Sequence, residues 1–153
     1  MRGRIPLKIL GDGPMRTNLS DNAVIQSGVD WLGRRPMVEV YNVLRRAEAL
    51  IFPSLWYEGL PRTIIESFAS GTPVIASDLG SMTELVRNGK NGRLFEAGKP
   101  AELARQVEEI FDQRSLLSDL RKGAREEFLR TYTAERNYPM LMMAYQRALA
   151  AAR

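Results

Sequence analysis

The sequence predicts an α/β fold in which a Rossmann-like parallel sheet carries helices on both faces. Short apolar runs with the length of buried strands alternate with longer amphipathic segments, and glycine- or proline-rich turns separate them. After Pro100 the alternation stops and only helical patterns follow, so we expect C-terminal helices. Strands that alternate with helices indicate a parallel sheet, because each parallel connection needs a crossover segment.

Each predicted strand is a short apolar run that ends at a turn signal. The first ends at the turn Gly11-Asp12-Gly13-Pro14, and the second ends at Gly33. The third, Leu50-Ile51-Phe52, leads into a loop, and Val74-Ile75-Ala76 is the fourth. The predicted strands are 5–10, 29–32, 50–53, 74–76 and 93–95.

The helices are predicted from apolar residues three and four positions apart. Ile64, Ile65, Phe68 and Ala69 fall on one face of the second helix, which Gly71 stops as a C-cap. The predicted helices are 37–46, 62–70, 82–87, 101–111, 115–130 and 133–153. With 153 residues, we expect one domain over the whole chain.

Composition excludes several classes of function. The chain has no cysteine and no histidine, which excludes disulfides, thiolate chemistry and a serine–histidine hydrolase, and we expect no metal site. The net charge of +4 is spread along the chain without a basic, aromatic-rich stripe, so we expect no nucleic-acid partner.

Two further sequence features concern the cellular location of the protein. No run of eighteen apolar residues occurs, and the segment Met1-Arg2-Gly3-Arg4 is too short for the start of a secretory signal. We therefore expect a cytoplasmic protein. Peripheral contact with an anionic membrane surface stays open, since the chain is mildly basic.

The loop between the third strand and the second helix carries the most chemistry. Glu58 lies in the loop and Glu66 eight positions later in the helix, and Pro61 suits the first helical position. Amides at a helix start lack intrahelical partners and attract anions. The donors expected there belong to Gly59, Leu60, Arg62 and Thr63. A phosphate cradle between two hydroxyl-binding carboxylates is what a nucleotide-sugar needs.

A plainer interpretation is open for each candidate. Arg62 and Glu66 stand at i and i+4 and can form a surface ion pair, while Glu58 can be a solvated loop acid. Gly11 and Gly13 are candidates for phosphate or ribose contacts, or residues of a strand-end turn. Arg34 is a candidate for stacking near a nucleobase, or a solvated loop residue.

Several motifs together resemble one known family. They are Pro53-Ser54, Glu58-Gly59-Leu60-Pro61, Glu66 and Gly71-Thr72-Pro73-Val74-Ile75-Ala76, with further matches at Leu7 to Pro14, Leu32-Gly33, Gly80-Ser81, Glu84 and Asn91-Gly92. The set resembles the C-terminal, donor-nucleotide-binding domain of retaining GT-B glycosyltransferases, in the family of glycosyl transferases group 1. That family's signature is two glutamates with seven residues between them, the spacing of Glu58 and Glu66.

The resemblance implies specific roles. Glu66 matches the glutamate that hydrogen-bonds the donor's ribose hydroxyls. Glu58 matches the one beside the donor sugar, which orients the sugar and stabilises positive charge at the anomeric carbon. Amides of the Gly59-Leu60 loop would hold the diphosphate. The implied reaction transfers a sugar from a UDP-, GDP- or ADP-sugar to an acceptor sugar or lipid, with retention and without a metal.

The chain also departs from the family pattern. The resembling domain begins with one more strand–helix unit, whose Gly-Arg pair and downstream lysine neutralise the leaving diphosphate, and this unit is not found here. In the usual strand order 3-2-1-4-5-6 the first strand is central. We therefore expect half of a GT-B fold truncated at its N-terminus, inactive alone, with Arg62 as a partial substitute cation. The alternative function is a non-catalytic nucleotide-sugar-binding or interaction module.

The last predicted helix, 133–153, carries an apolar stripe. Its residues are Tyr138, Leu141, Met142, Tyr145 and Leu149. The stripe can pack on its own domain. In the resembling fold, however, this helix crosses back to the N-terminal domain. Without that domain, the stripe is expected to be exposed or to recruit a partner, either a separate N-terminal domain or a second copy.

Overall fold

The computed structural model describes residues 5–14, 16 and 28–151. They form two compact units, with the boundary between Val43 and Leu44. The expectations for the segment 1–4 and for the last two residues of the final helix lie outside the described residues. The prediction of one domain with a C-terminal crossover helix stays a prediction.

The first unit contains a two-stranded parallel sheet. Its strands are β1 (Leu7–Leu10) and β2 (Val29–Gly33). Lys8 and Asp30 lie opposite each other in the register, and their side chains form an exposed ion pair at 3.5 Å. β1 begins two residues later than predicted because Pro6 has no amide to donate, whereas the Leu7 amide donates to the Gly28 carbonyl at 2.9 Å.

The second unit contains a three-stranded parallel sheet in the order β3-β4-β5. The strands are β3 (Leu50–Phe52), β4 (Val74–Ser77) and β5 (Gly92–Phe95). Every residue of the central β4 is buried. The run of consecutive apolar residues in β4 is explained by helices that bury both faces of this strand.

Six helices complete the described fold. They are α1 (Met37–Arg46), α2 (Arg62–Ala69), α3 (Ser81–Leu85), α4 (Pro100–Asp112), α5 (Arg114–Thr131) and α6 (Ala134–Ala151). Val74 and Ala76 of β4 pack into one apolar cluster with α2, α3 and α5, whereas Ile75 packs into a second cluster with α4 and α5. Helices thus cover both faces of this sheet, and the predicted α/β class is confirmed.

The end of α2 is fixed by a glycine, as predicted. Gly71 has a φ of +69°, and its amide donates to the Phe68 carbonyl at 3.0 Å. The Thr72 amide reaches the Ser67 carbonyl at 2.9 Å, which completes a Schellman motif. α2 starts at Arg62, as the predicted bounds have it, and ends one residue before the predicted end; Pro61, expected at the first helical position, is the N-cap.

The end of α3 was predicted two residues too late. Asn91 is buried, its side-chain amide donates to the Leu85 carbonyl at 3.1 Å, and its Oδ1 accepts the Arg87 amide at 2.7 Å. These two bonds end the helix at Leu85, because they take backbone groups that a further turn would use.

Candidate functional site

The predicted site lies where β3 leads into α2. Since β3 and β4 are parallel, the loop after β3 and the loop after β4 start at the same edge of the sheet. Ile64 and Phe68 are completely buried and hold α2 against the core. Pro61 is buried as well, so the helix start is fixed and the loop 53–60 is held at both ends.

Glu58 is half-buried and hydrogen-bonded through both its side chain and its main chain. Ser54 Oγ donates to Glu58 Oε1 at 3.0 Å. Ser81 Oγ, at the first residue of α3, donates to the Glu58 carbonyl at 2.8 Å. Glu58 is therefore not the freely solvated loop acid of the plainer interpretation.

Glu66 lies one turn into α2 with its side chain only 17% exposed. Arg62 NH2 stands 3.7 Å from Glu66 Oε1, and the Arg62 side chain is 82% exposed. The ion pair that the i, i+4 spacing allows is thus present, although it is long and open to solvent. Ile65 is only half-buried, so the core-facing side of α2 is narrower than predicted and Glu66 lies at its margin.

The start of α2 keeps free amide donors. The Ile64 amide donates to the Pro61 carbonyl at 3.0 Å. Within the described part of the chain, no hydrogen bond occupies the amides of the four residues predicted as donors, which are Gly59, Leu60, Arg62 and Thr63. Such amides at the positive end of a helix attract an anion.

The remaining candidates lie in the first unit. Gly11 has a φ of +118°, and its amide donates to the Gly33 carbonyl at 2.8 Å. The Gly13 amide donates to Asp12 Oδ1 at 3.0 Å, and Arg34 is exposed just beyond β2. The turn 11–13 and Arg34 therefore share the carboxyl edge of the β1–β2 sheet. The site at Glu58 belongs to the second unit.

Sequence reasoning gave no role to the two hydroxyls that bind Glu58. Ser54 had a local signal, since a serine at the start of a loop often accepts an amide two residues later, and the Trp56 amide reaches its Oγ at 3.2 Å. Ser81 had none, because it is distant from Glu58 in sequence. Leu55, Trp56 and Tyr57 are also largely exposed on this loop.

A separate charged cluster surrounds a cavity of about 180 Å³ beside α5. At its centre Glu127 is buried, accepts hydrogen bonds from Arg130 at 2.6 and 2.7 Å, and lies 3.5 Å from Arg87. Burial raises the pKa of this carboxyl, but the Arg130 hydrogen bond and the charges of Arg87 and Arg130 outweigh it, so the pKa lies below its usual range. This cluster ties α5 to the loop after α3.

Two further features concern metals and membranes. Within residues 5–14, 16 and 28–151, no three acidic side chains come together as a candidate metal site. The expectation that the chain uses no metal stays a prediction. Of the helices that the structure describes, none combines the length and the apolar character needed to cross a membrane.

The second unit is an α/β fold of parallel strands under helices, and an anion-attracting helix start lies between two carboxylates at one edge of its sheet. The sequence matches the model for glycosyl transferases group 1 over residues 1–127, and the chain belongs to this family. It is 31% identical over 122 residues to an uncharacterized glycosyltransferase of Methanocaldococcus jannaschii, a match that covers 78% of this chain and 34% of that protein. The chain thus spans about a third of that relative's length.

Solved structures share the fold. Sucrose-phosphate synthase from Thermosynechococcus elongatus matches with a TM-score of 0.83 and 24% identity, over 95% of this chain and 39% of that one. Anabaena HepE in complex with UDP matches with a TM-score of 0.82 and 19% identity, over 93% and 41%. These structures are GT-B glycosyltransferases, so the predicted fold class is confirmed, while the match to the family model confirms the predicted family.

Proposed function

We propose that the chain is the donor-binding half of a retaining glycosyltransferase that uses a nucleoside-diphosphate sugar. The observation that carries the proposal is the start of α2, where free amides lie in a loop and helix that also bear Glu58 and Glu66. The UDP bound in HepE supports a nucleoside diphosphate as the ligand. UDP, GDP and ADP are the candidate carriers.

Glu66 would bind the two ribose hydroxyls. A carboxylate offers two oxygens, and hydrogen bonds to a charged acceptor are stronger than neutral ones. Arg62 does not block this role, because it lies 3.7 Å away on an exposed, flexible side chain. On binding, Arg62 can move to the diphosphate while Glu66 turns to the ribose.

Glu58 would lie beside the donor sugar. In the proposed reaction, the bond between the anomeric carbon and the diphosphate oxygen breaks, and the nucleoside diphosphate leaves with the electron pair. A new bond then forms from the acceptor hydroxyl oxygen to the anomeric carbon on the same face, and the departing diphosphate takes up the hydroxyl proton. The carboxylate of Glu58 would stabilise the positive charge that develops on the sugar, while the α2 amides receive the diphosphate.

The sheet topology bears on the proposed missing unit. Strand order 3-2-1-4-5-6 without its first strand leaves a pair and a triple, and the described strands form the pair β1–β2 and the triple β3-β4-β5. A further strand–helix unit that carries the diphosphate-neutralising cations stays part of the proposal, since Arg62 alone would replace them only in part. Gly11, Gly13 and Arg34 of the first unit stay proposed contacts of the nucleotide.

The binding proposal is tested by calorimetric titration of the chain with UDP, GDP and ADP. We expect one diphosphate to bind and Glu66→Ala to weaken it by about 1–3 kcal/mol, the range for a lost hydrogen bond to a charged group. Glu126→Ala is the matched control, since Glu126 forms a similar i, i+4 pair with Lys122 at 3.9 Å on α5. Equal affinity in wild type and Glu66→Ala would remove Glu66 from the site.

Catalysis is tested with the same protein. We expect the 153-residue chain alone to transfer sugar slowly, since leaving-group stabilisation and acceptor placement both need more than the α2 amides and Arg62. The proposed partners are a separate N-terminal domain or a second copy of the chain, together with an acceptor sugar or lipid. The proposed location is the cytoplasm or a membrane surface. Rapid transfer to such an acceptor by the chain alone would contradict this expectation. Diphosphate binding with no transfer, even beside an acceptor domain, would favour a non-catalytic binding module.

A further inference from the structure

Glu58 is held by two hydroxyls from different parts of the second unit. We infer that Ser54 and Ser81 are positioning residues that fix Glu58 for the donor sugar, an inference that rests on the proposed role of Glu58. Ser54 lies four residues before Glu58 in the same loop, and Ser81 lies 23 residues after it at the start of α3.

The bonds of Ser54 determine where its single proton goes. Its Oγ accepts the Trp56 amide at 3.2 Å, and Glu58 Oε1 and the Trp56 carbonyl lie 3.0 and 3.3 Å away as possible acceptors. A hydroxyl has one proton, and a carboxylate is a stronger acceptor than a neutral carbonyl. The hydroxyl proton is therefore donated to Glu58, which is the shorter contact. The hydrogen bond from the Trp56 amide holds the Ser54 oxygen in place for this donation.

Ser81 holds the backbone of the same residue. Its Oγ donates to the Glu58 carbonyl at 2.8 Å, so the loop after β3 is joined to the loop after β4. The adjacent Gly80 allows this close approach, because a Cβ at Gly80 would lie 2.9 Å from Tyr57 Cδ1. Its φ of +55° with ψ of −134° is also a conformation that only glycine adopts readily.

The Ser81 bond holds the backbone of Glu58 and the Ser54 bond holds its side chain, so part of the rotamer freedom of Glu58 is already lost before a ligand binds. With the carbonyl held by Ser81 and Oε1 held by Ser54, the carboxylate keeps Oε2 for a ligand. Such preorganisation matters for a group that must meet a sugar at a fixed position. It does not matter for the diphosphate, which the α2 amides would bind. Loss of either serine should therefore weaken binding of the sugar-bearing donor more than binding of the bare diphosphate.

The experiment measures that difference by calorimetry. The ligands are whichever of UDP, GDP and ADP binds the full chain most tightly, and its glucose conjugate. We expect Ser54→Ala to lower affinity for the glucose conjugate by about three- to tenfold, the scale of one hydrogen bond. Affinity for the bare diphosphate should stay within about twofold, and Ser54→Thr, which keeps the hydroxyl, should restore the wild-type ratio. Ser81→Ala should act in the same direction.

Thr83→Ala is the matched control. Thr83 lies two residues after Ser81 in α3 and donates to Asp78 Oδ1 at 2.8 Å, away from Glu58. Thermal unfolding and amide exchange accompany each titration. The Trp56 amide should lose protection in Ser54→Ala and keep it in Ser54→Thr.

Glu58→Gln separates the two possible failures. If it removes the preference for the glucose conjugate while Ser54→Ala and Ser81→Ala leave that preference intact, the positioning inference is wrong and the proposed function stands. If no nucleoside diphosphate binds, or if Glu58→Gln changes nothing, the proposed role of Glu58 fails and the inference fails with it. A uniform loss for both ligands in Ser54→Ala would make Ser54 a general stabiliser of the loop.

Discussion

α2 and α6 are both amphipathic, yet the structure buries the apolar face of α2 and leaves the apolar face of α6 exposed to solvent. Ile64, Ser67 and Phe68 of α2 are completely buried against the sheet. Every described residue of α6, Ala134–Ala151, is exposed, and Leu149 is 70% exposed. The helical spacing of apolar residues is present in both, so amphipathicity alone does not place a helix in a core.

The difference shows which helix can carry a precise site. α2 cannot rotate without exposing its buried side chains, so the amides at its start and the Glu66 carboxylate keep fixed positions relative to β3. α6 follows α5 after a short break, and none of its described residues is buried. Its stripe of Tyr138, Leu141, Met142, Tyr145 and Leu149 is therefore not explained by packing on its own domain, the plainer of the two sequence interpretations.

The largest expected effect is on the free energy of unfolding, which a truncation in α2 should lower far more than a matched truncation in α6. We expect Ile64→Ala to lower the free energy of unfolding by about 2–5 kcal/mol, because the side chain is fully buried and its loss leaves a cavity. The matched truncation Leu149→Ala should change it by less than about 0.5 kcal/mol. Urea unfolding of dilute protein measures both. Equal losses would mean that α6 is packed in solution.

The second prediction concerns what covers α6. We expect light scattering at micromolar concentration to show a dimer or larger assembly, since an exposed apolar stripe and open strand edges favour association. The double variant Leu141→Glu with Leu149→Glu should shift the mass to a monomer. Arg147→Glu changes the net charge by the same amount on the opposite side of α6 and should not. A wild-type chain that is a clean monomer with cooperative unfolding would contradict this prediction.

The fold was predictable where local pattern decides it. The helix 37–46 was predicted with the bounds that the structure gives α1, because its apolar spacing is clear and Pro36 precedes it. The Gly71 cap was predictable for the same local reason. The end of α3 was not, since the buried Asn91 that terminates it acts through tertiary contacts that no spacing reveals.

The candidate site divides in the same way. The pair Glu58 and Glu66 is visible from spacing, and the free amides follow from a loop that opens a helix. The bond from Ser81 to the Glu58 carbonyl depends on two loops meeting at one sheet edge. Only topology brings them together, so sequence reasoning assigned Ser81 no role in holding Glu58.

A third prediction concerns the ion pairs of the buried Glu127, which lies near the end of α5, just before the exposed helix α6. Because the folded-state pKa of Glu127 is lowered, its ion pairs stabilise the fold fully above the ordinary glutamate pKa of about 4.3. That contribution is lost as the pH falls through the lower folded-state value. We expect Glu127→Gln to cost about 1–2 kcal/mol near neutral pH and progressively less in acid. Urea unfolding of both proteins over the acid range measures this, with the exposed Glu126→Gln as control.

The smallest expected effect on stability lies on α2 itself. Arg62→Ala should change the free energy of unfolding by less than about 0.5 kcal/mol, because the side chain is 82% exposed and its pair with Glu66 is 3.7 Å long.

If Arg62 only forms this surface pair, the variant should bind a nucleoside diphosphate as well as wild type does. If Arg62 itself helps to neutralise the diphosphate, affinity should fall about fivefold, and Arg62→Lys should recover part of the loss because it keeps the charge without the planar fork. Lys122→Ala removes an equivalent exposed pair on α5 and should leave the affinity unchanged. Wild-type affinity in Arg62→Ala would therefore assign anion binding to the α2 amides alone.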